Sequence, residues 1–129
     1  MRKVITYGTY QLIHEGHINL LKRAKELGDF LILGLSTNEF NDIKNKITYQ
    51  DYEERKKVLS SIKYIDLIIP ERTWNQKIDD ILNLEINVFT MGSDWEGQFD
   101  YLQEFCEVVY LPRTENISST KIVNKIQNA

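Results

Sequence analysis

At 129 residues, with 42% hydrophobic and 27% charged side chains, the chain is long enough for one domain with a core of its own. Its 16 Lys and Arg stand against 19 Asp and Glu, a formal net charge of -3, and no basic run is long enough to track a nucleic-acid backbone, so nucleic acid is not an expected partner. No apolar stretch approaches the ~18 residues that a membrane span needs, the N-terminal apolar run stops at Tyr7 with no signal peptide, and the one cysteine, Cys106, has no internal partner; a soluble, cytoplasmic protein with no membrane partner is expected.

Residues 3–7 read as a first strand, and 17–27 as a helix with Leu20, Leu21, Ala24 and Leu27 at core spacing and Gly28 as its C-cap. A second strand follows at 30–36, a helix at 51–62, a third strand at 65–69 and a helix at 75–83. Strands at 88–91 and 107–111 and a last helix at 118–127 complete the series, with no repeat or linker between them. Several strands are apolar on both faces, as buried parallel strands are. The alternation predicts an α/β fold with a parallel sheet, and ligands of such sheets bind at the carboxyl ends of the strands.

The handover from the first strand to the first helix reads "TYGTYQLIHEGHINLLKRAKELGD". The helix begins near His17, so its unpaired N–H groups face the same crevice as Gly8, Thr9 and Tyr10, and that end suits an anion. Gly16 allows close backbone approach, and His14 and His17 add donors, cationic or neutral near pH 7, suited to a phosphate whose charge grows in a transition state. A zinc site is the weaker reading, because it wants three or four ligands, the chain has no other histidine, and Cys106 is far off in sequence.

Thr9 and the H-x-G-H of His14 to His17 resemble the signature of the nucleotidyltransferase superfamily, and "RTENISSTKI" from Arg113 resembles its second motif, R-T-x-x-I-S-[ST]-T-K. The segments "VITYGTY", "LSTNEFN", "YEERKKVLSSIKYID", "IIPERTWNQK", "FTMGSDWEGQFD" and "CEVVYLPRTE" resemble the glycerol-3-phosphate cytidylyltransferases over nearly the whole chain. The resemblance implies a Rossmann-like, doubly wound, parallel five-stranded sheet with helices on both faces, one nucleotide-binding domain over 1–129. It implies transfer of CMP from CTP to glycerol 3-phosphate, Mg²⁺ accompanying the CTP, a homodimer, and supply of CDP-glycerol to teichoic acid or capsule. Carried onto this chain, it gives the triphosphate to Thr9, Tyr10, His14, Gly16 and His17, with Lys46 reaching the CTP phosphates. Arg113 and the turn of Ile117, Ser118, Ser119 and Thr120 take the nucleotide and departing pyrophosphate. Asp94 and Trp95 take the nucleoside, and Lys44 and Lys77, with Trp74, take the acceptor phosphate. Arg55 and Asp66 are read as a supporting charge pair.

The chain departs from the family pattern at Gln11 and Asn38, where Asp is usual, at Lys63, where Arg is usual, and at Asn116, where Gly is usual. Two amides in place of carboxylates leave three alternatives: another phosphorylated polyol as acceptor, reduced activity, or a non-catalytic nucleotide binder. ATP in place of CTP is a further alternative, against which the D-W-E-G-x-F-D stretch argues.

Overall fold

The structure is a computed structural model and describes residues 1–113. The predicted helix at 118–127 and the residues Ile117, Ser118, Ser119 and Thr120 lie outside the described residues.

Five strands, β1 (Lys3–Gly8), β2 (Phe30–Ser36), β3 (Leu67–Glu71), β4 (Val88–Gly92) and β5 (Glu107–Leu111), form one parallel sheet in the order β3-β2-β1-β4-β5. Between them run α1 (Glu15–Lys25), α2 (Asn38–Ile43), α3 (Tyr52–Leu59) and α4 (Lys77–Asn83), with short 3-10 turns at Ser93–Trp95 and Asp100–Glu104. Alternate strand residues feed separate cores, as the period of a strand requires. On one face Val4, Leu31, Leu33 and Leu35 meet Leu21 and Ala24 of α1 and Leu59 of α3. On the other, Ile5, Tyr7, Ile32 and Phe89 meet Ile81 of α4 together with Phe99 and Leu102. The sheet is therefore covered by helices on both faces, as expected of a doubly wound fold. No helix among the described residues is long and apolar enough to cross a membrane.

Several boundaries move for local reasons. Helix α1 starts at Glu15, two residues before the expected position, because the His14 side chain caps it. Helix α3 is capped by Asp51, whose carboxylate accepts from the Glu54 N–H, and ends at Leu59, short of the expected 62. Strand β3 lies two residues later than expected. Asp66 is committed to Leu31 of β2, its N–H donating to the Leu31 carbonyl (2.9 Å) and its carboxylate accepting from the Leu31 N–H (2.8 Å). Helix α2 is not predicted by spacing; Thr37 starts it by accepting from the Phe40 N–H. Gly28 is not the cap of α1, which is Glu26. It is needed for close approach, since a Cβ there would come 2.5 Å from the Arg2 carbonyl oxygen.

The expected Arg55–Asp66 charge pair does not form. Asp66 pairs with Lys25 at 2.5 Å, tying α1 to the sheet. Arg55, in the charge-rich segment "YEERKKVL", is fully buried. Its guanidinium donates to the carbonyls of Gln50 (2.8 Å), Thr9 (2.9 Å) and Ser36 (2.7 Å) and to Oδ1 of Asn38 (3.0 Å). It thus joins the carboxyl ends of β1 and β2 to the loop before α3. Asn38 keeps an acceptor oxygen for this contact although it is not a carboxylate. Arg55→Met leaves three main-chain carbonyls without their donor and is expected to cost about 3 kcal/mol or more in urea unfolding, whereas a loss below about 1 kcal/mol contradicts this role.

Candidate active site

The sheet reverses its order between β1 and β4, and the crevice at that switch point is where polar side chains gather. The turn after β1 is unusual in its backbone: Tyr10 and Leu12 adopt φ of 49° and 50°, the left-handed region, which non-glycine residues enter at a cost of about 1 kcal/mol or more. Gly8 before it admits the Tyr10 ring, whose Cε2 would lie 2.6 Å from a Cβ at that position.

That turn delivers the two histidines. The Gly16 N–H donates to Nδ1 of His14 (3.0 Å), and the His14 N–H donates to Nδ1 of His17 (3.2 Å). The two residues make a reciprocal capping box, built from imidazoles in place of the usual hydroxyl and carboxamide. A nitrogen that accepts carries no proton, so each ring is neutral with its proton on Nε2. The electrostatics agree. Burial lowers the pKa of His14 from its ordinary value, and burial followed by the neighbouring His14 lowers His17 to about 4. The ring centroids are 4.0 Å apart, and the Tyr10 ring lies 5.4 Å from His17, tilted by 52°.

Two adjoining cavities open from this point. The larger, about 380 Å³, is lined by Gly8, Thr9, Tyr10, Gln11, His17, Lys46, Asp94 and Trp95 among others. The smaller, about 220 Å³, is lined by Lys44, Lys46, Glu71, Trp74, Lys77 and Phe99, and it shares Tyr7, Gly8, Lys46, Met91 and Trp95 with the larger. Among the described residues Lys46 is thus the cation common to both. Behind the smaller cavity a continuous network runs across the strand ends. Lys44 Nζ donates to Thr9 Oγ1 (3.0 Å) and to Ser36 Oγ (2.6 Å), Ser36 Oγ donates to Glu71 Oε1 (2.9 Å), and Lys77 Nζ pairs with Glu71 Oε2 (2.9 Å). Lys77 and Glu71 are almost wholly buried, and the Lys77 ammonium lies 4.7 Å from the Tyr7 ring centroid and 5.5 Å from that of Phe99. Burial brings Lys44 down to about 8; Glu71 opposes that shift, while Lys46, Lys77 and Arg55 add to it.

The structure therefore brings His17, Thr9, Tyr10, Gln11, Lys44, Lys46, Lys77, Trp74, Asp94 and Trp95 to the walls of the two cavities, with His14 and Gly16 next to them in the cap that holds His17. Arg113 reaches the same rim by pairing with Asp94 through Nε (3.0 Å) and Nη2 (2.5 Å). Trp74 is about half exposed, with its ring edge-on to Phe40 at 5.0 Å. Asp66 stands apart in the Lys25 pair, and Lys63 stacks on Tyr64 (5.3 Å) with no place in the site. Ser36, Asn41, Tyr7 and Glu71 join the site without a motif of their own in the sequence. Ser36 and Glu71 close β2 and β3, so the rule that ligands gather at strand carboxyl ends was the available signal.

A lysine-rich crevice at the switch point of an open parallel sheet, with neutral imidazoles at a helix N-terminus, suits phosphate-bearing small molecules. The chain belongs to the cytidylyltransferase-like family, whose model matches residues 5–125. It is 60% identical over 126 residues to the glycerol-3-phosphate cytidylyltransferase of Staphylococcus aureus (strain NCTC 8325 / PS 47), covering 98% of this chain and 96% of that one. It is 59% identical over 126 residues to the Bacillus subtilis (strain 168) enzyme of the same name, with 98% of each covered. In fold it is similar to the lipopolysaccharide core biosynthesis protein of Thermoplasma volcanium GSS1, with a TM-score of 0.75 at 21% identity over 89% of this chain and 99% of that one.

The histidine cap has a pH signature. Because the His17 pKa is lowered on folding, its contribution is present above the unfolded value of about 6.5 and is lost as pH falls toward about 4. The urea midpoint is expected to drop between pH 6.5 and 4, and His17→Gln is expected to flatten that drop. An unchanged slope in His17→Gln contradicts the neutral cap.

Proposed function

We propose that the protein is a cytidylyltransferase that transfers CMP from CTP to glycerol 3-phosphate, releasing pyrophosphate and giving CDP-glycerol for teichoic acid or capsule synthesis. The observation that carries this reading is the pair of cavities sharing one wall at Lys46, a larger one beside the histidine cap and a smaller one edged by lysines. Two substrates held in adjoining cavities meet at that wall, which is the arrangement a direct transfer between phosphates requires. The 60% and 59% identities to glycerol-3-phosphate cytidylyltransferases over nearly the full chain support the same choice of substrates.

In this reading CTP occupies the larger cavity, with its triphosphate along Thr9, Tyr10, Gly16, His17 and Lys46, its nucleoside against Asp94 and Trp95, and Arg113 with residues 117–120 on the departing pyrophosphate. Glycerol 3-phosphate occupies the smaller cavity with its phosphate against Lys44 and Lys77, beside Trp74. The reaction is an in-line displacement: an acceptor phosphate oxygen bonds to the α-phosphorus as the bond to the bridging oxygen breaks, and pyrophosphate carries away that electron pair. The attacking group is already an anion at neutral pH, so no general base is needed. Neutral histidines donate through Nε2–H to the α-phosphate oxygens, stabilising charge that builds in the transition state without cations that would bind the ground state just as tightly. Glu71 offsets one of the lysine charges, leaving a surplus of positive charge that suits a phosphate dianion.

Mg²⁺ is proposed as the companion of CTP. Among the described residues no group of three or more His, Cys, Asp or Glu is placed to hold a metal. Asp94 and Glu71, the carboxylates at the cavities, are engaged by Arg113 and Lys77. This donor set fits a hard cation carried by the triphosphate with its own waters, not one caged by protein; when bound, it supplies charge neutralisation on the phosphates. A cytoplasmic homodimer completes the proposal.

The test is pyrophosphate release with Mg²⁺ from CTP or ATP against glycerol 3-phosphate and other polyol phosphates. Release that requires CTP and glycerol 3-phosphate together is expected, with losses on the order of 10²-fold or more in His14→Ala and in His17→Ala. Release with another acceptor only, or CTP binding without turnover, overturns the substrate assignment or the enzyme reading in turn.

A further inference from the structure

We propose that Gln11 is the positioning residue for Lys46: its carboxamide holds the 46–50 segment in register, so that the lysine faces both cavities. The side chain leaves a turn fixed by the left-handed residues Tyr10 and Leu12 on either side of it. Its Nε2 donates to the Ile47 carbonyl (2.7 Å), and its Oε1 accepts from the Tyr49 N–H (2.5 Å) and the Gln50 N–H (3.1 Å). The loop returns the contact, with Gln50 Oε1 accepting from the Leu12 N–H (3.0 Å). On the opposite flank the Lys46 N–H donates to the carbonyl of buried Asn41 (2.8 Å), and Asn41 Nδ2 donates to Thr48 Oγ1 (3.1 Å). Asn45, at φ 59°, makes the reversal that aims the segment back at the crevice. Lys46 thus opens a segment held at both flanks, and Gln11 provides three of the four hydrogen bonds on one of them.

The contact requires a donor and an acceptor on one side chain. A carboxamide has both, whereas a carboxylate has no hydrogen for the Ile47 carbonyl and would set a negative charge against it. Glu keeps the length and the acceptors and loses only the donor; Asp is also one methylene shorter. The amide at position 11 is therefore matched to the loop it grips. Tyr49 and Ile47 are largely exposed and bury little apolar area, so these hydrogen bonds carry the ordering of the segment.

The proposal rests on the reading that Lys46 engages the nucleotide phosphates, and a double-mutant cycle separates the two. kcat/KM for CTP is measured for Gln11→Ala, Lys46→Ala and the double variant, with urea unfolding confirming that each is folded under assay conditions. If Gln11 acts through Lys46, each single variant falls, by on the order of 10²-fold, and the double variant is no worse than Lys46→Ala alone. Gln11→Glu, which changes one atom and keeps the protein folded should Gln11→Ala fail to, falls by a comparable factor, and Gln11→Asp falls as well. Losses that multiply in the double variant overturn the proposal while leaving the role of Lys46 intact, and so does a rate increase in Gln11→Asp. A Lys46→Ala variant with unchanged kcat/KM for CTP overturns the reading of the lysine and the proposal together.

Discussion

The reciprocal cap between His14 and His17 is the constraint on which the rest of the site depends. The first turn of a helix leaves N–H groups that must find acceptors, and here both acceptors are imidazole nitrogens. That choice fixes each ring's orientation, its tautomer and its charge at once. Serine or aspartate would cap the helix equally well, but neither would leave a second nitrogen on the same ring carrying a proton. Protonation of either Nδ1 breaks the cap, so the helix start and the neutral state of the pair stand or fall together. Burial beside the Tyr10 ring favours the neutral form in the same direction.

Around this cap the fold supplies two lines of support that cross the sheet ends. Arg55 gathers the carbonyls of Thr9, Ser36 and Gln50 from beneath, fixing where β1 and β2 stop relative to the loop that carries Lys46. The chain from Thr9 through Lys44, Ser36 and Glu71 to Lys77 runs along the crevice and links the larger cavity to the floor of the smaller. Among the described residues every buried side-chain polar atom has a hydrogen-bond partner, so the network is satisfied throughout. Satisfied buried networks of this kind hold a single arrangement, because shifting one member leaves another unpaired in a medium where that is costly.

Much of this was legible in the sequence because it is local. The strands at 3–7, 30–36, 88–91 and 107–111 follow from continuous apolar runs, and the H-x-G-H motif located the crevice. What escaped was non-local. Arg55 sits in a segment charged on every side, so periodicity gives it no inward face; the carbonyls that bury it come from three other parts of the chain. Asp66 reads as its partner only until the fold places Lys25 closer. Gln11 and Asn38 look like lost carboxylates in one dimension, whereas in three dimensions each is a hydrogen-bonding group fitted to its neighbours. Helix α2 is too short for a periodic signal, and Glu71 is hidden at the end of an apolar strand until its two partners converge on it.

The reciprocal cap requires both histidines to be neutral at pH 7 with the proton on Nε2. Nitrogen-15 NMR of the labelled, ligand-free protein reads the protonation of each ring nitrogen directly. Unprotonated Nδ1 and protonated Nε2 are expected for both His14 and His17 at pH 7, with His17 holding that state down toward pH 4. An imidazolium, or the Nδ1–H tautomer, at either residue at pH 7 contradicts the neutral cap.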